Sequence, residues 1–203
     1  MADVNMDGYM YFVGPGKYGV REKRKSLGEI KGETPDKRFS AKGAFQIWYF
    51  KWSSAHRNET SNRHDSRCSV GAFEVRKDVD IATPTIFLAH AHCAVFEGCH
   101  IYFRKTGGGK LFTFFHAIFS DVIIEKWDCN LDNGTEEKLT VNFDWCEINY
   151  YPQSRDGVRK KGDAANMKQF CTSTPDSQDA PRVMRKQGGD ISAADMDLLF
   201  GSE

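Results

Sequence analysis

The stretch Glu136–Gln153, EEKLTVNFDWCEINYYPQ, decides the fold. Leu139, Val141, Phe143 and Trp145 alternate with Thr140, Asn142 and Asp144, which is the two-residue period of a strand with one buried face. At Cys146–Glu147 the phase slips, and Ile148 and Tyr150 become the bulky positions. A one-residue slip turns every later side chain over, so the stretch reads as a β-bulge or as a strand leaving one sheet for another. Pro152 offers no N–H and ends the pairing. A long closing strand of this kind belongs in a small barrel or a bent two-sheet sandwich, and nothing in it looks catalytic.

The neighbouring segments extend the same pattern. Cys99–Lys105 reads as a strand, Thr106–Lys110 as a glycine-rich hairpin turn, and Leu111–Lys126 as a long returning strand. Asp132-Asn133-Gly134 carries the Asn-Gly hairpin signal. Tyr9–Val13 is a short strand stopped by Gly14-Pro15-Gly16, and Val70–Val79 alternates Phe73, Val75 and Val79 against Glu74 and Arg76. In Phe45–Trp52, Phe45, Ile47 and Tyr49 line one side and Trp48, Phe50 and Trp52 the other. A strand apolar on both sides needs cover on both sides, and another protomer is the expected second cover. Ser53–Arg67 is fully polar and reads as a protruding loop or extended hairpin. Thr83 as N-cap and Pro84 at the first helical position start a helix that runs to about Phe96, with Phe87, Leu88, Ala91, Ala94 and Val95 on its core face and a stop at Gly98. The order β, β, β, α, β, β, β predicts a mainly β protein: an antiparallel β-barrel of two curved sheets with one flanking α-helix and a long polar loop.

With 203 residues the chain holds one domain and a tail, and the division falls at 1–157 for the barrel and 158–203 for a flexible C-terminal extension. The 28 basic and 28 acidic residues cancel, which argues against a nucleic-acid partner. No signal peptide and no membrane-spanning run is expected, so Cys68, Cys93, Cys99, Cys129, Cys146 and Cys171 read as reduced thiols of a cytosolic fold. Lys17–Lys31 is rich in basic residues and reads as a solvated loop or a basic flap. Near the C-terminus, Ser192-Ala193-Ala194-Asp195 resembles a capping box. The apolar Ile191, Met196, Leu198, Leu199 and Phe200 lie among acidic residues, as in a short helix that docks into a partner's groove.

Candidate chemistry is sparse. His90, His92, Cys93, Cys99 and His100 cluster in sequence, but two residues two apart on a helix point about 200° from each other, so His90 and His92 do not grip one ion from one helix. No CxxC pair, nucleophile elbow or phosphate loop is present. Gly107-Gly108-Gly109-Lys110 lacks the leading glycine, and Leu111 stands where the hydroxyl residue should follow the lysine. His116 and Asp121 are separated by an odd number on a strand and face opposite sides. No catalytic, cofactor or metal residue is expected.

Ile30-Lys31-Gly32-Glu33-Thr34, Phe73-Glu74-Val75-Arg76-Lys77 running into Asp80-Ile81-Ala82-Thr83-Pro84, Ile101–Lys105 with its Gly-Gly turn, and Glu137–Phe143 through Tyr150-Tyr151-Pro152-Gln153 recur in order over Gly8–Gly157. In this combination the chain resembles the haemolysin-coregulated protein family, inner-tube subunits of the bacterial type VI secretion system. The resemblance implies a subunit without catalytic residues. Six copies close into a ring, rings stack into a tube that a contractile sheath propels, and effectors are carried in the lumen or at the tip. Partners would be copies of the chain itself together with sheath, spike or baseplate and effector proteins, the protein assembling in the cytoplasm and leaving through the injection machine. By position, Ser53–Arg67 matches the family's extended loop, the expected ring-to-ring or subunit contact; Trp48, Phe50 and Trp52 of the doubly apolar strand and His56, Arg57, Asn58, Glu59, Arg63 and His64 of the loop are therefore the expected subunit-contact residues. The alternative is a tube-derived adaptor whose C-terminal segment docks a cargo, sheath or baseplate protein. Lys17–Leu27 looks like an insertion, and the Thr140, Asn142, Asp144 face reads equally as a lining of the bore or as an exposed outer face.

Overall fold

The computed structural model describes residues 6–19, 25–57, 67–107, 110–132, 134–152 and 165–171. In chain order the elements are β1 (Met6–Val13), β2 (Lys17–Tyr18), β3 (Lys25–Ser26), the single turn α1 (Lys37–Ser40), β4 (Phe45–Ile47), β5 (Tyr49–Lys51), β6 (Ser54–Arg57), β7 (Arg67–Val70) and β8 (Phe73–Asp78). Then follow α2 (Thr83–Ala91), β9 (Val95–Gly107), β10 (Lys110–Asn130), β11 (Glu136–Asn142), β12 (Trp145–Tyr150) and β13 (Ala165–Cys171). Every strand pairing is antiparallel.

The long hairpin of β9 and β10 is the spine. β9 takes β1 on its free side, and β10 carries β11 along its C-terminal half and β12 along its N-terminal half. The strand that decides the fold does not leave one sheet for another: β11 and β12 follow one another along the same edge of β10, interrupted at Phe143–Asp144 rather than slipping at Cys146–Glu147. Trp145 opposes Ser120 and Asn142 opposes Ile123, so no residue is gained or lost across the break. Asp144 keeps contact by donating its N–H to the Ser120 carbonyl at 3.1 Å. The opposite strand bends at the same level, where Asp121 takes a φ of 50°. Register shifts occur at Ile124/Lys126 of β10 and, between β12 and β13, at Cys146/Ile148.

The hydrogen-bonded order β3-β2-β9-β10-β11-β8-β5 is an open path and not a closed ladder. One covalent segment bridges the gap. Phe45–Ile47 pairs with β1, Tyr49–Lys51 pairs with β8, and between them the Trp48 N–H donates to the Arg76 carbonyl at 3.1 Å. This bend changes the expected arrangement of Phe45–Trp52. The strand is not apolar on both faces: past Trp48 the alternation restarts, so Phe50 and Trp52 join the interior that Phe45 and Ile47 already fill.

Inward-facing residues of β1, β4, β8, β9, β10 and β11 make that interior, among them Met10, Phe45, Val75, Ile101, Phe119 and Leu139, all essentially unexposed. A second cluster, Tyr9, Tyr11, Phe39, Ala44, Tyr102 and Tyr151, lies on the opposite face of the same spine. This cluster explains why Tyr150 is exposed while Tyr151 is buried, the reverse of the expected phase.

The helix also departs from expectation. Ala82, not Thr83, occupies the cap, and α2 ends at Ala91 because Val95 already belongs to β9. Ile86 and Ala89 face the core, whereas Phe87 and Leu88 are turned out. Periodicity alone cannot choose between these faces, because apolar residues occupy both of them. Three strands lie where the sequence predicts none. Within the Lys17–Lys31 segment, β2 and β3 form a small hairpin on the edge of β9. Ala165–Cys171, inside the expected extension, is β13 and pairs with β12.

Candidate functional site

Three features of the wall bear on function. The first is the crossover at Trp48. Its indole is half exposed, stands edge-on to Tyr49 and lies 5.9 Å from the Arg76 guanidinium, which sits 4.5 Å over the Tyr49 ring. Around it runs a paired-charge ladder: Arg76 Nε to Glu74 at 3.1 Å, Arg76 Nη1 to Glu136 at 3.2 Å, and Lys138 to Glu74 at 3.0 Å. Phe50 packs among Phe73, Phe103 and Phe115, and Trp52 stands edge-on to Phe119 and Phe143. The Trp52 indole N–H also donates to the Gly71 carbonyl at 3.0 Å, at the foot of the β6/β7 ribbon. Of the expected contact residues, His56 and Arg57 lie in β6, opposite Cys68 and Arg67, in a two-stranded ribbon separate from the main sheet. Asn58, Glu59, Arg63 and His64 lie outside the described residues, as do Ile191, Met196, Leu198, Leu199 and Phe200.

The second feature is the outer side of α2. Ile81, Pro84, Phe87, Leu88 and Ala91 are all exposed, the last four at the spacing of one helical stripe. Phe87 leans on the Trp127 ring at 4.9 Å, yet 45% of it remains open, as does 46% of Leu88. The helix is anchored from below by a buried ion cluster. The Lys77 ammonium, fully enclosed, bonds Glu137 at 2.7 Å, Asp80 at 2.8 Å and the Asp78 carbonyl at 2.7 Å. Glu137 accepts further from the Thr83 hydroxyl at 2.6 Å and the Trp127 indole at 2.7 Å. Asp80 accepts from the backbone of Ala82 and Glu33. Each charge therefore has an opposite partner and fixed donors, the condition under which a buried pair holds rather than weakens a fold.

The third feature is the outer face of β1 and β9, covered by the segment from Glu29 to Ala44. Asp36 caps α1 and binds both Arg38 and the buried Arg104. Burial alone would raise the Asp36 carboxyl, but the Arg38 and Arg104 bonds outweigh it and hold it down at about 2. Phe39 stacks on Tyr9 at 4.1 Å and meets Tyr102 edge-on. Gly32 lets the cover lie directly against Ala44 and Phe45: a Cβ there would stand 2.5 Å from that of Phe45. Beneath the cover, His100 Nδ1 and His116 Nε2 share a hydrogen bond of 3.0 Å. Tyr11 stacks on His100 at 4.9 Å and Tyr102 on His116 at 4.1 Å. Burial first, and His100 second, hold the His116 imidazole well below its ordinary range. An open pocket of about 640 Å³ leads to His100, between Tyr11, Ile30, Lys31, Lys42 and Ile81.

The histidines and cysteines grouped by sequence are dispersed. His90 bonds the Ile124 carbonyl, His92 stacks on Tyr18, Cys93 is exposed and Cys99 is buried. His116 turns to His100, and Asp121 sits at the bend with its carboxyl raised by burial and by Asp144 and Glu97. Among the described residues no group of three His, Cys, Asp or Glu side chains is placed to hold a metal ion, and no helix is long and apolar enough to cross a membrane. The His100–His116 contact was the functional-looking pair that spacing missed. Ile118 is the residue opposite His100 in the register, so the two imidazoles meet diagonally across the hairpin, a relation visible only once the register is known.

A family model described as type VI secretion system effector, Hcp, matches residues 23–150. The protein hcp1 of Pseudomonas aeruginosa is 22% identical over 144 residues, covering 67% of this chain and 86% of that protein. A solved structure of a type six secretion system protein superposes with a TM-score of 0.62 at 16% identity, covering 81% of this chain and 93% of the other. A variant of Hcp1 from Escherichia coli gives a TM-score of 0.59 at 10% identity, covering 82% and 99%. At these identities the structural likeness speaks for the fold.

Proposed function

The chain belongs to the Hcp family of type VI secretion proteins, and on that premise we propose that it is an inner-tube subunit that closes into hexameric rings and stacks them into a conduit. The family is one of structural tube proteins and not of enzymes. The observation that carries the reading is the apolar surface that the described residues of a single chain leave open: Trp48 on the crossover and Ile81, Phe87 and Leu88 on and before α2, each between 45% and 60% exposed. A helix apolar on all sides is stable in water only when its outer side is also covered, and a head-to-tail contact between copies closes into a ring when its rotation permits. The β6/β7 ribbon, separate from the main sheet and footed on Trp52, supports its assignment as the contact between rings. In this reading the chain carries effectors through a sheathed tube, meets sheath and spike or baseplate proteins, and is exported after cytoplasmic assembly. A double substitution, Phe87→Glu with Leu88→Glu, tests it by analytical ultracentrifugation. The native chain is expected to sediment at several times the monomer mass and the variant as a monomer; equal mass for both rules the α2 surface out of the ring contact.

A further inference from the structure

The neutral charge balance of the chain hides two stretches of opposite sign. Residues 17–31 hold six basic side chains against Glu22 and Glu29. The residues after Lys186 hold four acidic ones, Asp190, Asp195, Asp197 and Glu203, and no basic one, with Ile191, Met196, Leu198, Leu199 and Phe200 among them. The structure puts the basic stretch beside a recess. The chain leaves the wall of the open pocket of about 640 Å³ at Gly14, makes the β2/β3 hairpin, and returns to that wall at Glu29. The foot of the hairpin is closed by the Leu27 N–H, which donates to the Gly16 carbonyl at 2.9 Å. The pocket is lined by the apolar Tyr11, Phe12 and Ile30, by the exposed Ile81, and by Lys31 and Lys42. A second recess, at Trp127 beside α2, is bordered by Glu74, Glu125 and Asp128 against Lys126 and Lys138, and its sign disfavours an acidic segment.

The strand register measures the distance between the two stretches. Cys171, the last residue of β13, opposes Trp145, which opposes Ser120; Ser120 opposes Gly98, and Gly98 opposes Val13 of the pocket wall. The described residues therefore end level with the pocket and four strands away, about 19 Å at the usual strand spacing. Residues 172–190 reach about 60 Å when extended, well beyond that span. Attachment over so short a span raises the local concentration to the order of millimolar, so a contact of modest intrinsic affinity is populated. We propose that residues 191–200 dock into this pocket of their own chain, with their apolar side chains against Tyr11, Ile30 and Ile81. The carboxylates of Asp195 and Asp197 then face Lys31, Lys42 and the basic hairpin, and the docked segment is withheld from outside partners. The pocket reaches Ile81 but neither Phe87 nor Leu88, so docking does not rest on ring formation.

The test is cleavage of the full chain by chymotrypsin after Leu198, Leu199 and Phe200, timed by mass spectrometry against a free peptide of residues 187–203. Docking should slow cleavage at least tenfold relative to the peptide, and equal rates overturn the proposal. Lys31→Glu with Ala41→Glu makes the pocket wall acidic at two exposed positions. This variant should be cleaved at the peptide's rate, and a rate that stays slow overturns the pocket as the site. The converse variant, Leu198→Glu with Phe200→Glu, is read by amide exchange. Exchange within residues 29–32 and 40–43 should quicken at least threefold, and no change there contradicts the docking. Phe87→Glu with Leu88→Glu separates the sources of the segment. Its cleavage should be as slow as that of the native chain, whereas the peptide's rate would assign the segment to a neighbouring copy and overturn docking within one chain. The mass of that variant is read separately, so failure of the ring contact and failure of the docking give different results.

Discussion

Compared side by side, the face of β1 and β9 carries a cover supplied by its own chain, while among the described residues the outer side of α2 and the Trp48 crossover carry none. On the first, Phe39, Ala44 and Tyr151 seal the tyrosines of the wall, and Asp36 clamps Arg104. On the second, Phe87, Leu88, Ile81 and Trp48 stand open. Both surfaces are rich in apolar and aromatic side chains, so composition does not separate them. What separates them is whether a loop of the same chain returns over the surface. The difference teaches that the subunit is finished on one side and unfinished on the other, and that substitutions on the two sides should be felt in different measurements.

The largest effect is expected at the anchor the two sides share, where Asp80 holds the Glu33 backbone of the cover and Lys77 joins β8 to the start of α2. Lys77→Met leaves Glu137 buried without its cation and should remove about 3–5 kcal/mol of stability in urea unfolding. Adding Glu137→Gln, which keeps an acceptor for Trp127, should recover at least half of the loss. A single variant as stable as the native chain would deny that the two sides share an anchor. Next comes the finished side: Phe39→Ala empties a fully buried ring site and should cost about 3 kcal/mol, read from the same curve.

A smaller effect comes from acid. Because the folded Asp36 carboxyl lies at about 2, below its unfolded value of 3.8, its contribution is complete above 3.8 and disappears as the pH falls through about 2. Asp36→Asn should accordingly lose on the order of 2 kcal/mol at neutral pH and show a flatter acid limb; an unchanged limb would mean that the Arg38 and Arg104 bonds do not hold the cover. The smallest effect on the single chain is expected on the unfinished side, where Phe87→Glu should move the unfolding midpoint by no more than about 0.5 kcal/mol equivalent while changing the state of association. A large loss of monomer stability there would erase the distinction between the two sides.

Much of this architecture was legible in the sequence. The alternation of Leu139, Val141 and Phe143, the Asn-Gly turn and the long apolar run after Gly109 report local preferences that the folded chain keeps. The failures have one physical source, that phase is local but facing is set by the partner. Phe50 and Trp52 read as a second apolar face, opposite Phe45 and Ile47, because nothing in FQIWYFKW marks the bend at Trp48, which exists only because β1 and β8 take different halves of the segment. Phe87 and Leu88 read as core-facing because Ile86 and Ala89 are no more apolar than they are, and the choice is made by β10 and the core beneath the helix. The α1 turn was hidden in turn-forming sequence and is fixed by Asp36 reaching Arg104, 68 residues away.

The most direct test of the unfinished surface is the mass of the purified chain in solution, measured by analytical ultracentrifugation up to high concentration and accompanied by negative-stain images. A particle of about six chain masses, ring-shaped in projection, is the predicted result. A chain that stays monomeric at the highest concentration, with Phe87 and Leu88 open to water, would contradict it.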